Sequence, residues 1–468
     1  MIKFNLRKTI CIAVAIALTG CATVSPQLKP NVSAAAAWNE AGAPGGASVS
    51  ADWWTSFGSA ELQQLVSQAL AGSPDLAIAT ERVRQAEAQV RVAGASLFPT
   101  LDVGAGTSSK QSSGSAVTHA SSASLSASYE VDLWGKNRAG VRAAESSLRA
   151  TAYDRDAAQL TLVAGVASSY FQVLSLRSRL GVARENLTIA ERVRDLVSAR
   201  VRNGAASALD LNRQEATVLS QRAALLPIEQ QERQTLAALA VLTGRVPEGF
   251  EVKAAGVADL SVPAINPGLP AQLLVRRPDL ASAEAQLAAS NADLAAARAA
   301  LLPSIQLTGS AGMASSALLS FVSGGTSTIG LALSLLQPIF DGGRLRGQVA
   351  VSESRERELV ESYRKVILAA FKDVEDSLVA ASRQAQQETL VAQVQAQAAE
   401  ALRLAEIRYR AGADDLLTVL DAQRTLFNAQ DQLAQIRLNR LEAAVSLYKA
   451  LGGGWNAAAV GTPGSARG

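Results

Sequence analysis

The sequence predicts a mixed fold: two hairpins of amphipathic strands, joined to very long helices and built from a tandem repeat. Three observations predict it. Landmark residues recur once, at an offset of roughly 200 positions. Each repeat holds two segments in which apolar and small polar residues alternate. Each also holds a Pro-free stretch with helical periodicity, and at 1.5 Å per residue some 65 residues span roughly 100 Å.

The first twenty residues are expected to be a leader. Its 468 residues carry 44 basic and 41 acidic side chains, a net charge of +3. Lys3, Arg7 and Lys8 supply the excess, so beyond residue 20 the count is 41 against 41. Nucleic acid is not an expected partner, because a basic patch needs a clustered excess. The apolar run Ile10 to Leu18 is too short to span a bilayer and has the length of a signal-peptide core. It ends in Leu18-Thr19-Gly20-Cys21, which resembles a bacterial lipoprotein cleavage box. That resemblance implies a signal peptide at 1–20, loss of Cys11 with it, and an N-acyl diglyceride, with palmitate, on Cys21. Ala22, where Asp is absent, resembles lipoproteins sent to the outer membrane. An ordinary secretory signal with an incidental cysteine is the alternative.

Composition narrows the classes. Apolar residues make 48% of the chain but aromatics only 4%, a balance that suits closely packed long helices. No later stretch approaches 18 uninterrupted apolar residues, so no transmembrane helix is expected. The single His119 cannot build a His-rich metal site, and no nucleophile-elbow, dinucleotide or phosphate-loop pattern occurs. Neither an enzyme, a metal site nor a cofactor other than the covalent lipid is expected.

The repeat is read from landmarks. Ser73-Pro74-Asp75-Leu76 recurs as Arg277-Pro278-Asp279-Leu280, and Leu97-Phe98-Pro99-Thr100 as Leu301-Leu302-Pro303-Ser304. Gly135-Lys136-Asn137-Arg138 matches Gly343-Arg344-Leu345-Arg346, Val201-Arg202-Asn203-Gly204 matches Tyr409-Arg410-Ala411-Gly412, and Leu242-Thr243-Gly244 matches Ala450-Leu451-Gly452.

Strands follow. Leu101, Val103, Ala105 and Thr107 alternate with small or polar residues, as do Ala123 through Leu133 in the partner. The second repeat does the same from Ile305 to Ala311 and from Ile329 to Leu335. Ser/Gly-rich loops at about 110–120 and 316–325 separate the partners. Alternation alone fits a soluble hairpin pair equally well. The helices run from Arg138 to Arg202 and from Leu345 to Arg410, with returns at about Leu209 to Leu242 and Leu416 to Leu451. Pro227 is expected to kink the first return. Leu426, Leu433 and Leu447 stand at multiples of seven, a coiled-coil seam.

Four strands cannot close a barrel, and unpaired edges cannot face hydrocarbon. Hairpins from several copies must therefore pool. Three copies give twelve strands, with room for a lumen lined by Ser, Thr, Gly, Asp102 and Asp132. The expected architecture is thus a transmembrane β-barrel, twelve-stranded in a trimer, continued by long helices.

At this point the residues resemble the outer-membrane factors of tripartite efflux and secretion systems (TolC-like), in the lipoprotein branch serving drug-efflux pumps. The resemblance rests on Trp53-Trp54 with Phe57, Gly268-Leu269-Pro270, Arg276-Arg277-Pro278-Asp279-Leu280 and Gln337-Pro338-Ile339-Phe340-Asp341. Tyr409-Arg410-Ala411-Gly412, Leu420-Asp421-Ala422-Gln423 and Tyr448 through Trp455 complete it. It implies a homotrimer whose barrel is continued by a periplasmic α-helical barrel. It implies as partners a periplasmic adaptor, an inner-membrane pump and outer-membrane lipid. The expected location is the outer membrane, lipid-anchored, with a large periplasmic portion. The division expected is a signal peptide (1–20), a lipidated linker and equatorial segment (21–60) and repeat 1 (61–244, hairpin about 98–134). An equatorial inter-repeat linker (245–270), repeat 2 (271–454, hairpin about 303–340) and a flexible tail (455–468) follow.

Candidate site residues lie at the helix turns. By resemblance, Arg202, Gly204, Arg410 and Gly412 meet the adaptor; plain caps are the alternative. Leu417 and Asp421 match positions where the family constricts its pore, and Asp414 and Asp415 are acidic neighbours. Four apart, Leu417 and Asp421 share one helical face, so a trimer makes an apolar ring and an anionic ring. The alternative is that Asp421 pairs on a solvated face and Leu417 is core. The function expected is a passive, gated export duct for small molecules such as drugs or toxic compounds. A helical-stalk lipoprotein without a lumen is the competing class.

Overall fold

The duplication reappears element by element. The computed structural model describes residues 32, 35–40, 49–111, 113–114, 117–257, 259–315 and 326–455. Cys21, the signal peptide and the tail beyond 455 lie outside the described residues. Repeat 1 contains α1 (Ala60–Gly72), α2 (Pro74–Ala95), β1 (Thr100–Lys110), β2 (Thr118–Glu130), α3 (Lys136–Arg202) and α4 (Ala208–Leu242). Repeat 2 contains α5 (Pro278–Ala299), β3 (Ser304–Ser315), β4 (Thr326–Leu336), α6 (Arg344–Arg410) and α7 (Leu416–Ala450). Helices α3 and α6 are each 67 residues long, and α4 and α7 each 35. The offset changes between the two strands, where a longer connection adds residues without disturbing either ladder.

Contacts divide the chain into two compact units. One holds Pro99–Ala143 and Leu287–Glu361. Its sheet is antiparallel with strand order β1-β2-β3-β4, so within the chain β1 and β4 are edges. The register sorts the side chains by face. Val103, Leu125, Ala311 and Ile329 form one cross-strand row, and Leu101, Ala127, Gly309 and Leu331 the next on the same face. The opposite face carries Asp102, Ser126, Ser310 and Gly330, then Thr100, Ser128, Thr308 and Ala332. Because side chains alternate with period two, one register gives all four strands the same apolar face. That face is bare in the single chain: Ile329 is 90% exposed and Leu331 79%.

The strand limits differ from the sequence expectation. β1 runs on to Lys110 and β2 starts at Thr118, so part of the Ser/Gly-rich stretch is strand. β2 stops at Glu130, short of Leu133, and Asp132 is not in a strand. Its carboxylate accepts from the backbone N–H groups of Asn137 (3.0 Å) and Arg138 (2.9 Å) at the start of α3. Capping orphan N–H groups outweighs extending a ladder. Asp132 is therefore a helix cap, where the alternation placed it in the lumen.

The other unit holds Val32–Phe98, Ala144–Gln286 and Ser362–Gly468. Its core gathers the apolar stripe of α3 (Val163, Val166, Tyr170, Leu174) with Ala370 and Val374 of α6 and Leu447 of α7. Trp53 stacks on Tyr448 with ring centres 5.0 Å apart, and Phe57 meets Phe171 at 4.9 Å. Helix α3 includes an 18-residue stretch of mean hydropathy 1.3, apolar enough by composition to cross a membrane, and half of it is buried. Its apolarity is that of a core stripe. Helix α4 passes through Pro227 as one continuous helix rather than ending there.

One joint is duplicated. Gly244 (φ 72°) and Gly452 (φ 86°) follow α4 and α7. A Cβ at Gly244 would sit 2.0 Å from the Gly72 carbonyl oxygen, and one at Gly452 would sit 1.9 Å from that of Arg276. Left-handed backbone and close approach both demand glycine. Arg277 seals the second joint: its buried guanidinium donates to Asp279 (2.7 Å), to Asp373 (3.2 Å) and to the Ala450 carbonyl (3.2 Å). Burial opposes its charge, yet the two carboxylates raise its pKa above the ordinary arginine value.

Candidate functional site

The sequence places its candidate residues at the two turns that end α3 and α6, and both turns are built alike. Gly204 (φ 70°) and Gly412 (φ 75°) reverse the chain. Behind them the Ala205 N–H donates to the Arg200 carbonyl at 2.8 Å, and the Ala413 N–H to that of Arg408 at 2.9 Å. Such left-handed glycine ends satisfy carbonyls that a helix leaves open.

The next helices start differently. Ser207 and Asp210 cap α4 reciprocally: the Asp210 N–H donates to Ser207 Oγ (3.2 Å), and the Ser207 N–H donates to the Asp210 carboxylate (3.0 Å). On α7, Asp415 alone is the cap, accepting from the Thr418 N–H at 3.1 Å. Asp414 receives both Nε (2.7 Å) and Nη2 (2.9 Å) of Arg408. Those hydrogen bonds hold the Asp414 carboxyl below its usual range. Asp210 is held low by the Ser207 backbone N–H and hydroxyl.

Leu417 is 54% exposed, and Asp421 donates nothing but accepts from Arg424 Nη2 at 2.7 Å on an open helix face. Both line a groove of about 770 Å³ between α4 and α7, with Thr217 and Ser220 on its far wall and Arg424 and Asn428 beside them. Within one chain, then, Leu417 is not core, and Asp421 has an ion-pair partner. Arg202 and Arg410 are exposed, with local contacts to Ser198 (3.2 Å) and Glu406 (3.5 Å). Among the described residues no group of three or more His, Cys, Asp or Glu side chains could hold a metal ion.

Two residues here lie outside the candidate site residues read from the sequence. Arg200 lies over the Tyr409 ring at 4.5 Å and donates to the Tyr409 carbonyl, joining the end of α3 to the end of α6. Gln423 is buried to 1% exposure in the seam of α7. A polar residue at a heptad position was the available signal for Gln423; nothing local distinguishes Arg200 from other arginines.

Comparison with known proteins places this geometry. Residues 65–245 and 269–453 match the outer membrane efflux protein family, one match for each repeat. The pyoverdine export outer membrane protein OpmQ of Pseudomonas aeruginosa is 43% identical, over 95% of this chain and 96% of its own length. The outer membrane protein OprJ of the same species is 33% identical over 95% of both. Among solved structures, the open state of the MtrE outer membrane channel of Neisseria gonorrhoeae superposes with a TM-score of 0.84 at 31% identity. It covers 93% of this chain and 98% of that one. The outer-membrane channel OprN reaches a TM-score of 0.85 at 26% identity, covering 92% and 99%. Those neighbours are channels, which removes the lumen-free stalk from consideration.

Proposed function

The chain belongs to the outer membrane efflux protein family and is an outer-membrane efflux channel, and on that premise we propose how it is assembled, anchored and gated. The family is one of transport channels and needs no cofactor. In the reading proposed, three copies pool their hairpins, with β4 of one chain pairing with β1 of the next. The observation that carries it is the open four-stranded sheet with one apolar face and two unpaired edges. In hydrocarbon each edge must find a strand, and closure is the only arrangement that leaves none over.

Cys21 carries the lipid anchor. Arg202, Gly204, Arg410 and Gly412 present the turns to a periplasmic adaptor, which couples the duct to an inner-membrane pump. Leu417 and Asp421 form the constriction, with Asp414 and Asp415 at its rim. Rings of apolar and anionic side chains restrict a pore by dewetting and by charge. The cargo is a small molecule, a drug or other toxic compound, exported from the periplasmic side to the exterior.

Conductance in a planar bilayer tests this reading. The purified chain should migrate as a trimer, and Leu417→Ala with Asp421→Ala should raise conductance above that of the wild type. A monomer, or an unchanged closed conductance in the double variant, overturns the assembly or the gate respectively. Cys21→Ser should abolish lipid labelling.

A further inference from the structure

The seam of α7 contains a side chain that does not belong in it. Leu416, Val419, Gln423 and Leu426 follow three-four-three spacing, the a and d positions of a coiled coil, and all four are buried. Leu416, Val419 and Leu426 pack with Ile189, Val193 and Val197 of α3 and with Ala398, Leu402 and Ala405 of α6. Gln423 is as buried as Val419, at 1% exposure. Yet neither its Oε1 nor its Nε2 has a hydrogen-bond partner among the described residues.

The first repeat handles the same problem differently. Gln214 of α4 is also fully buried; its Oε1 has no partner among the described residues, but its Nε2 donates to the Ala190 carbonyl at 2.8 Å. That bond pins α4 to α3 one turn beyond a reciprocal cap. Helix α7 has a one-sided cap and an amide with nothing to bond.

We propose that Gln423 is a positioning residue for the gate: its unpartnered buried amide keeps the α7 seam loose where Leu417 and Asp421 are carried. The proposal rests on the gate reading above. Gln423 lies two residues beyond Asp421, buried in the seam and at the same time among the residues that line the groove of Leu417 and Asp421. A buried amide without partners destabilises the packed arrangement, and any movement of α7 that lets water reach it removes that cost. A single polar a or d residue weakens a coiled coil while selecting between its arrangements. Gln423 thereby sets how readily the first turns of α7 leave the closed packing.

Three variants are measured in planar bilayers, with thermal unfolding alongside. Gln423→Leu keeps the side-chain volume and removes the amide. It should lower the frequency of spontaneous openings about 10-fold, as loss of one unpaired buried polar group predicts, and raise the midpoint of thermal unfolding. Gln423→Glu should shift both readouts the opposite way. A merely structural glutamine would make both variants less stable with no ordered change in opening, and that result overturns the proposal. Unchanged opening in both variants overturns it as well. Leu417→Ala with Asp421→Ala serves as the reference: if it opens the channel while the Gln423 variants do nothing, only the role of Gln423 fails. If it leaves conductance unchanged, the gate reading fails, and the opening frequencies alone decide whether Gln423 biases α7.

Discussion

The guanidinium of Arg200, near the end of α3, lies 4.5 Å from the ring centre of Tyr409, near the end of α6, and donates to the backbone carbonyl of that residue. This one side chain clasps the two turns that carry the candidate adaptor residues. Arg200→Ala removes a cation–π contact and a charge-assisted hydrogen bond, together about 1–2 kcal/mol at a half-buried site. We expect the two turns to separate more often, so channel openings in a planar bilayer should become several-fold more frequent. Tyr409→Phe is the control. The phenol oxygen is buried without a partner, so its removal should keep the Arg200 clasp and leave stability equal to or above that of the wild type.

Acid should loosen the same turns. Asp210 and Asp414 have pKa values lowered in the folded chain, by Ser207 and by Arg408 respectively. A lowered folded-state pKa means the unfolded turn binds protons more readily. The stabilisation is complete above the ordinary carboxylate value near 4 and is lost as pH falls through the lowered one. Spin labels at Asn203→Cys and Ala411→Cys should report one narrow distance from pH 7 to 5. Broadening should begin only below about pH 4, and broadening already at pH 6 would show that neither carboxylate holds the turns.

Glycine at the duplicated joint should be irreplaceable. Gly452→Ala would place a methyl group 1.9 Å from the Arg276 carbonyl oxygen in left-handed backbone. Backbone cannot yield as a side-chain end can, so a loss of at least about 2 kcal/mol is expected. Gly412→Ala, with left-handed backbone but open space around it, should cost about 1 kcal/mol. Thermal midpoints of the two variants give the comparison.

Arg277→Ala should be more damaging still. It strips the partner from Asp279 and Asp373 and from the Ala450 carbonyl. Breaking a buried ion pair costs about 3–5 kcal/mol, reduced here because both carboxylates are partly exposed. Arg277→Lys should recover only part of the loss, since an ammonium cannot fork between two carboxylates. Chemical denaturation of the folded chain would rank the three.

The two faces of the sheet should respond oppositely to charge. Leu331→Arg puts a cation on the apolar face and should cost about 2–4 kcal/mol on folding into lipid vesicles. Ser310→Arg, in the neighbouring row on the hydroxyl-rich face, should fold with little penalty. Equal penalties would mean that the faces are not divided between lipid and lumen.

Much of this was legible in the residues. The repeat offsets, the long helices and the alternation of the strands survive into the structure because each rests on a short-range rule. Helical and strand periods depend only on which neighbours share a face, and Gly204 and Gly412 mark turns that left-handed backbone requires. Strand ends were less legible. The alternation continues through Val131 to Leu133, but Asp132 has the N–H groups of Asn137 and Arg138 to satisfy, and no periodicity records that demand. Pro227 sits inside a continuous helix, which tolerates one missing hydrogen bond.

By itself, then, the sequence determined the repeat, the periods and the positions of the turns, since these are properties of residues near one another in the chain. Tertiary structure alone decided which distant groups share a partner. Arg200 found Tyr409 across 209 positions, Gln214 found the Ala190 carbonyl, and Gln423 found nothing in an equally buried seam. Hydrogen bonding is directional and short in range, so whether a buried amide is satisfied depends on a few tenths of an ångström of helix placement. No pattern along the chain encodes that distance.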